Sequence, residues 1–303
     1  MRLVTYSRMG VPSIGVELDS GILDIPDAAS YFGRKYHLRG QSFPSNMMDL
    51  LQWEAGIEVV RQIVSRYEQT PLDERMMAYP QDSVTLEAPL HRPGKIIALG
   101  KNYLDHIKET GSETPEFPVI FAKFPSCVIG PNDSIPMPKI SDKIDWEVEL
   151  AIVIGKICKD VSESRALEYI AGYTIVNDVT ARDLQSGDGQ WIRGKSLDCF
   201  CPMGPCIVTQ DELGNAQGLK MYTKINGEIK QDSSTSNMLF KVPQIISHLS
   251  EAFTLEPGDV IITGTPSGVG FVRDPPEFLK AGDKIEQYIE KIGYLHNSVV
   301  KSK

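Results

Sequence analysis

The stretch that decides the fold runs from Asp145 to Gln185 and reads DWEVELAIVIGKICKDVSESRALEYIAGYTIVNDVTARDLQ. Apolar residues alternate with two glutamates at its start, which predicts a strand over Trp146 to Ile154. Glu147 and Glu149 then point to the same side of the strand, roughly 6.5 to 7 Å apart. Two ionised carboxylates at that spacing repel each other unless a positive charge lies between them.

The rest of the stretch brings in a third carboxylate. Its pattern predicts a helix that has Ser162 as its N-cap and ends at Gly172. A second strand, Tyr173 to Val176, follows, and Asp178 comes directly after it. Strand, helix and strand form a compact unit, so we expect Asp178 to lie beside the two glutamates.

Three carboxylates without a neighbouring His or Cys form an all-oxygen site for a hard cation. Mg²⁺ or Mn²⁺ suits such a site, Ca²⁺ suits it less well and Zn²⁺ is disfavoured. The competing interpretation is an exposed strand face that carries two solvated glutamates. Asp178 and the motifs described below favour the metal site.

Composition and charge exclude several classes of protein. The chain has 303 residues, a net charge of -9 and no run of basic residues, which argues against nucleic acid and anionic membranes as partners. We find no signal peptide or membrane span and expect a cytoplasmic protein. The five cysteines lack the paired spacing of zinc sites, and those of the cluster CFCPMGPC are expected to be reduced, structural thiols.

Two domains are expected. Residues 1 to 90 read as a small α/β module of short strands followed by two helices, in which nothing looks catalytic. A proline-rich stretch over residues 86 to 94 marks the boundary. Residues 91 to 303 form the predicted catalytic domain.

His106 and Glu109 follow a short buried strand, Lys95 to Gly100. Their spacing places both on one face of a helical turn, where the carboxylate can orient the imidazole as a general base. A solvated surface pair is the competing interpretation. The polar loop from Gly111 to Pro118 is a candidate lid or an ordinary surface loop.

Other candidates for the site come from the ends of strands and from loops. Lys123 and Lys195 could clamp a carboxylate, although Lys123 also fits a surface lysine. Arg182 fits a structural ion pair. The glycine-rich segment 263–270 lacks the lysine of a phosphate-binding loop, and we expect its amides and the Thr265 hydroxyl to approach a small anion.

Taken together, the motifs resemble the fumarylacetoacetate hydrolase family. The matching stretches cover most of residues 95 to 290 and are GKNYLDHIKE, FAKFPS, DWEVELAIVIGK, GYTIVNDVTARDLQ, GKSLDCFCPMGP and LEPGDVIITGTPSGVG. The resemblance implies an α+β, β-rich fold of the mixed β-sandwich roll type with a small N-terminal module. It also implies a homodimer with one Mg²⁺ or Mn²⁺ per active site.

The resemblance also implies roles for individual residues. Glu147, Glu149 and Asp178 match metal ligands, and His106 with Glu109 matches a catalytic dyad on a segment that orders over the substrate. The positions that match substrate contacts are Lys123, Gln185, Lys195 and Thr265, of which Lys195 also counts among the catalytic residues.

The implied reaction is metal-dependent cleavage of the C3 bond of a small anionic 2-oxo acid, which gives pyruvate enolate. Oxaloacetate decarboxylation is the first expectation and acylpyruvate hydrolysis the second. A keto–enol tautomerase or a hydroxymuconate-type isomerase is the third. A metal-stabilised scaffold that binds another protein without turnover is the alternative from a different class.

Overall fold

The structure is a computed structural model that describes residues 1–35, 43–71 and 75–302. The helices in this part of the chain are α1 Ile25–Lys35, α2 Met47–Gln52, α3 Gly56–Gln69, α4 Leu104–Glu109, α5 Arg182–Gly187, α6 Ile192–Lys195, α7 Gln210–Leu213 and α8 Val242–Ala252. The strands of the first half are β1 Arg2–Arg8, β2 Val11–Leu18, β3 Gly21–Asp24, β4 Ala78–Tyr79, β5 Thr85–Glu87, β6 Ile96–Gly100, β7 Val119–Lys123, β8 Val128–Ile129, β9 Ser134–Pro136 and β10 Ile144–Asp145. Those of the second half are β11 Val148–Ile154, β12 Ile170–Asn177, β13 Thr180–Ala181, β14 Cys201–Thr209, β15 Lys220–Ile225, β16 Glu228–Ser234, β17 Val260–Ile262, β18 Lys284–Ile289 and β19 Gly293–Val300.

Two sheets dominate the architecture. Within the described residues, the larger sheet has twelve strands in the order β4-β3-β2-β1-β14-β12-β11-β17-β6-β7, with β5 also paired to β1 and β8 to β14. The smaller sheet has five strands in the order β16-β15-β18-β19-β9. The predicted fold class, β-rich α+β of the mixed sandwich-roll type, is confirmed.

Strand β11 lies in the middle of the larger sheet and is buried along its whole length. One of its faces, through Leu150 and Ile152, packs in a cluster with α8 and with residues of the smaller sheet such as Met221. The opposite face, through Ala151 and Val153, belongs to a cluster that reaches helices α1 to α3. Apolar packing on both faces holds this strand, and therefore the glutamate at its start, in a fixed place.

The central strand is shorter than the sequence predicts. It begins at Val148 because side chains take over the hydrogen bonds of the preceding backbone amides. The Trp146 amide donates to Asp145 Oδ1 (2.8 Å), and the Glu147 amide donates to Asn177 Oδ1 (3.0 Å). Glu147 thus lies just before the strand and Glu149 lies in it.

The prediction that a helix ends at Gly172 is wrong. The segment Glu163–Tyr169 is a 3₁₀ helix, and β12 already begins at Ile170. Gly172 is a glycine for a packing reason, because a Cβ there would lie 2.3 Å from the carbonyl oxygen of Val208 on β14. Close approach of two strands and the end of a helix both favour glycine, so the sequence alone did not distinguish them.

The N-terminal strands pair with the rest of the sheet. β1 pairs with β14 through Leu3 opposite Ile207, so the sheet continues from the predicted module into the remainder of the chain. The division at about residue 90 remains a prediction. No helix among the described residues combines the length and the apolar composition that a membrane crossing requires.

All five cysteines are free thiols, including the three of the CFCPMGPC cluster for which this was predicted. Four of them are fully buried, and Cys199 is partly exposed. The thiols of Cys127 and Cys201 interact with each other where β8 runs beside β14. They contribute to packing in the core of the larger sheet.

Candidate metal centre and active site

The three predicted metal ligands meet at the ends of β11 and β12. Glu147, Glu149 and Asp178 each offer one carboxylate oxygen, and these oxygens lie within 4.8 Å of one another. The backbone amide of Asp178 donates to the Glu147 carbonyl (2.9 Å), which extends the pairing of the two strands. The three residues are 5%, 1% and 0% exposed, so the interpretation as solvated surface glutamates is wrong.

Of the three carboxylates, Glu149 is the one whose negative charge is least balanced by neighbouring positive charges. Burial raises its pKa well above the usual range, and the negative charges of Asp178 and Glu147 raise it further. The amide of Gly264 donates to Glu149 Oε2 (2.5 Å) and only partly offsets this. Without a cation, this site therefore favours the protonated form of Glu149.

The positive charge of Lys195 balances the negative charges of the other two carboxylates, Glu147 and Asp178. Its Nζ lies 2.7 Å from Glu147 Oε2 and 2.6 Å from Asp178 Oδ2, and the side chain is 2% exposed. Burial alone would raise the pKa of Glu147, but the charges of Lys195 and Arg182, with a smaller contribution from His106, outweigh burial and lower it. Lys195 thus keeps Glu147 ionised and ready to bind a cation.

Lys123 is buried behind Asp178. Its Nζ donates to Asp178 Oδ1 (2.7 Å) and to the backbone carbonyl of Lys195. Burial acts to lower the pKa of Lys123, but the adjacent Asp178 charge reverses this and raises it, so the ammonium stays charged. The surface-lysine interpretation is wrong, and direct contact with a substrate remains a prediction.

Sequence reasoning gave Arg182 only a structural role and did not single out Asp145. The Arg182 Nε donates to Asp145 Oδ2 (2.8 Å), and its Nη2 lies 2.6 Å from Glu147 Oε1. Asp145 also accepts the amides of Gly270 (2.7 Å) and Phe271 (3.1 Å). This pair therefore connects a metal ligand to the glycine-rich segment. The sequence predicted that Arg182 forms an ion pair, but the identity of its partners depends on the tertiary fold.

The predicted dyad is assembled on helix α4. His106 Nδ1 lies 3.2 Å from Glu109 Oε2, and the two side chains are 13% and 24% exposed. The other oxygen of Glu109 accepts the amide of Gly268 (2.8 Å). The glycine-rich segment contacts both groups, because the Gly264 amide donates to Glu149 and the Gly268 amide donates to Glu109. The dyad and the triad thus belong to one site.

Two residues predicted to contact the substrate, Gln185 and Thr265, form hydrogen bonds with other residues of the protein. Gln185 accepts a hydrogen bond from Arg182 Nη1 (3.0 Å), so its NH₂ group is the end that could donate to a ligand. The Thr265 hydroxyl donates to the Val148 carbonyl (3.1 Å) and accepts from Gln231 Nε2 (2.8 Å). The loop amides of Gly264, Gly268 and Gly270 donate to Glu149, Glu109 and Asp145, so the anionic groups that they contact are carboxylates of the chain itself. The substrate roles of Gln185 and Thr265 remain predictions.

The triad fits a divalent metal on two observations. Its three buried donors are carboxylate oxygens close enough to share one ion, which is the donor set of Mg²⁺ or Mn²⁺. The side-chain NH₂ of Asn177, directly beside Glu147, is buried without a hydrogen-bond partner and suits an oxygen that a hydrated ion would bring.

The site's charges also suit a metal with an anionic substrate. Four carboxylates and three cations meet here among the described residues: Asp145, Glu147, Glu149, Asp178, Lys123, Arg182 and Lys195. With Glu149 protonated the charges balance, and a dication bound to the ionised form would leave an excess of one positive charge. That excess would attract an anion.

The comparison with protein families agrees with these motifs. The profile described as fumarylacetoacetate (FAA) hydrolase, C-terminal, matches residues 95–300. The chain belongs to the fumarylacetoacetate hydrolase family. Enzymes of this family generally use a divalent metal, and the buried acidic triad is a place where one could bind.

Similar proteins within the family act on small organic acids. An oxaloacetate tautomerase of Bos taurus, FAHD2A, is 40% identical over 307 residues, which span 99% of this chain and 92% of the relative. Its name describes it as mitochondrial, whereas the cytoplasmic location expected for this chain remains a prediction.

Solved structures cover this chain completely. The fumarylacetoacetate hydrolase of Exiguobacterium antarcticum is 38% identical with a TM-score of 0.82, and 100% of each chain is covered. The 5-carboxymethyl-2-hydroxymuconate delta-isomerase of Mycobacterium smegmatis is 36% identical with a TM-score of 0.74, again with 100% of each chain covered. The chain is therefore an enzyme of this family.

Proposed function

We propose that this enzyme interconverts the keto and enol forms of oxaloacetate with Mg²⁺ or Mn²⁺ held by Glu147, Glu149 and Asp178. The observation that carries the proposal is that the His106–Glu109 dyad and the buried carboxylate triad contact the same glycine-rich segment, through Gly268 and Gly264. A base beside an electrophilic site is the arrangement that proton transfer at a carbon next to a carbonyl requires.

The ion would polarise the 2-oxo group and stabilise the negative charge that develops on its oxygen. His106 is positioned to take a proton from C3, because an Nδ1–H directed at Glu109 leaves Nε2 free to accept one. The carboxylate of Glu109 then stabilises the imidazolium. Return of this proton from Nε2 to the 2-oxygen completes the enol with no change in the C3–C4 bond.

The sequence favoured oxaloacetate decarboxylation as the first expectation, whereas we propose tautomerisation instead. The name of the bovine relative supports this order, because it specifies tautomerisation of oxaloacetate. Decarboxylation breaks the C3–C4 bond without removing a proton from C3, so it needs the dyad only as an acid that protonates the enolate afterwards and does not need it as a base. Oxaloacetate decarboxylation and acylpyruvate hydrolysis remain predictions that the same assays address.

A second candidate is isomerisation of a hydroxymuconate-type acid. It is supported by the likeness to the Mycobacterium smegmatis isomerase over the whole chain. The residues would have the same roles, because such an isomerisation also moves a proton between positions of a conjugated 2-oxo acid. The two candidates differ in the length of the substrate that the site must accommodate.

The deciding experiment follows enol oxaloacetate by its ultraviolet absorbance while pyruvate is measured in the same sample. With Mg²⁺ or Mn²⁺ we expect the approach to keto–enol equilibrium to accelerate while pyruvate stays at the background level. Glu147→Gln at the same metal concentration controls for catalysis by free ions. Pyruvate released in step with enol loss would replace tautomerisation by decarboxylation, and rates that are insensitive to a chelator would contradict the metal site.

We further propose that the enzyme is a homodimer, which the family resemblance supports. The mass of one chain is 33.6 kDa. Light scattering during gel filtration is expected to give twice that mass. A mass equal to that of one chain would contradict the proposal.

A further inference from the structure

Helix α4 carries both members of the dyad and has only six residues. Isolated helices shorter than about 12 residues are only marginally stable in water. Contacts with other elements must therefore fix the position of α4. The helix buries Ile107 and follows a backbone bridge from Tyr103 to Met238, and a carboxylate near each of its ends adds a polar contact.

Asp105 provides the contact near the first end. Its Oδ2 accepts the hydroxyl of Ser233 (2.6 Å) and the side-chain amide of Asn237 (3.3 Å), while its Oδ1 accepts the backbone amide of His106 (2.9 Å). Asn237 also donates to Ser233 Oγ (2.9 Å). Ser233 lies on β16 and Asn237 in the turn after it, so Asp105 ties α4 to the smaller sheet.

Glu109 provides the contact at the other end through the Gly268 amide (2.8 Å). Gly268 has a φ of +101°, and a Cβ there would lie 2.1 Å from the carbonyl oxygen of Lys230. Only glycine allows the loop this position and backbone conformation without strain. The helix is thus held between the smaller sheet and the glycine-rich loop, with His106 between the two contacts.

We propose that Asp105 is a positioning residue that holds the His106 imidazole against the metal site by anchoring α4 to Ser233 and Asn237. The inference rests on the proposed function, for which it names the groups that keep the base in place. Hydrogen bonds that end on an ionised carboxylate are stronger than those between neutral groups, so this anchor stabilises the docked helix substantially. Among the residues that the structure describes, no hydrogen bond joins Asp105 to the triad or to the side chains of the dyad.

The anchor is tested first without any substrate or turnover. Hydrogen exchange at the amides of residues 107 to 112 would be compared in the full chain, with chelator present, for Asp105→Ala, Asp105→Asn and Ser233→Ala. Loss of a charged hydrogen-bond acceptor predicts exchange about 10- to 100-fold faster in Asp105→Ala. Asp105→Asn keeps one acceptor oxygen and should fall between wild type and Asp105→Ala.

Lys108→Ala is the matched control, because Lys108 lies on the same helix with an exposed side chain. Its exchange should equal that of wild type. Exchange in Asp105→Ala that also equals wild type would overturn the anchor. This arm remains decisive even if the wild-type enzyme does not act on oxaloacetate, which would contradict the proposed function alone.

The second readout separates positioning from a general structural effect. In Asp105→Ala, kcat for tautomerisation should fall about 10- to 100-fold, while the Kd for Mn²⁺ binding stays within about twofold of wild type. Asp105→Asn should restore part of kcat. The double variant with Ser233→Ala should lose little more than Asp105→Ala, because both changes remove the same contact. A parallel loss of Mn²⁺ affinity would overturn the positioning role.

Discussion

The side-chain amide of Gln231 donates to the hydroxyl of Thr265 (2.8 Å) and so connects the smaller sheet to the glycine-rich segment. The same amide also donates to the Pro266 carbonyl (3.0 Å), and its oxygen accepts the Val148 amide (3.1 Å) and the Thr223 hydroxyl (2.8 Å). Four hydrogen bonds from one buried side chain therefore fix the start of β11, between the two glutamate ligands.

Gln231→Leu should destabilise the protein by about 2–4 kcal/mol, because it leaves several buried polar groups unpaired. Mn²⁺ affinity should also fall, since Val148 lies between Glu147 and Glu149. Gln287→Leu is the control: Gln287 is equally buried on β18 and donates to Thr223. It should lose less stability, because only the bond to Thr223 is removed, and it should keep Mn²⁺ affinity. Thermal unfolding and Mn²⁺ titration measure both quantities, and equal affinities in the two variants would refute the link.

Glu149→Gln should raise the metal-free Tm by a few degrees at pH 8. The pKa of Glu149 in the folded protein lies above its unfolded value of about 4.5, because of burial and the neighbouring Asp178 and Glu147 charges. The folded state then holds the proton longer, so this group lowers stability as pH rises from about 4.5 to the folded pKa. Glutamine removes that dependence.

The same variant should lose the stabilisation that Mn²⁺ gives the wild-type protein. Differential scanning calorimetry with chelator and with Mn²⁺ measures both effects. If the metal-free Tm of Glu149→Gln were lower than that of wild type at both pH 5 and pH 8, the carboxylate would be stabilising and the charge argument incorrect.

Lys195→Met should move the acid limb of the activity profile to higher pH. Burial favours the neutral form of Glu147, and Lys195 is the strongest of the charges that oppose it, so its removal raises the pKa of Glu147. Protons then compete with the metal up to a higher pH. The rate of tautomerisation measured across pH with saturating Mn²⁺ tests this, and Lys280→Met, at an exposed position, should leave the profile unchanged.

His106→Ala should reduce tautomerisation by about 10²- to 10⁴-fold, the usual contribution of a general base. Any decarboxylation of oxaloacetate should persist, because that reaction needs no proton removed from C3. Mn²⁺ affinity should change little, since His106 is not among the three ligands. Equal losses in both reactions and in Mn²⁺ binding would show instead that the imidazole is structural or a ligand.

Only one thiol should react rapidly with a thiol reagent in the native protein. Cys199 is partly exposed, and the other four cysteines are fully buried. Unfolding in guanidinium should expose all five. Thiol titration before and after unfolding measures the difference, and Cys199→Ser should abolish the rapid phase. Several rapidly reacting thiols in the native state would contradict this packing.

The sequence was most informative where the residues of the site lie close together in the chain or at the ends of neighbouring strands. Alternation around Glu147 and Glu149 and the strand before Asp178 located the triad, because neighbouring strands bring such positions together. The spacing of His106 and Glu109 located the dyad, because residues three apart lie on the same face of a helix.

Residues that act across large sequence separations were not predictable in this way. Gln231 contacts Val148 over 83 positions, and Ser233 contacts Asp105 over 128. Each is an ordinary polar residue in a hairpin strand, and only the packing of the smaller sheet gives it a partner. The same holds for Lys123, whose strand-end position suggested a surface and whose ammonium is buried against Asp178.

The connection between β11 and β12 lies at the opposite end of these strands from the carboxylates, a separation of about 20 Å for a seven-residue strand. Its residues 162–165 are exposed. A fluorophore, an affinity handle or a surface tether attached at Ser164 would thus sit a full strand length from the reacting atoms. This turn offers a place to immobilise or label the enzyme while its chemistry proceeds undisturbed.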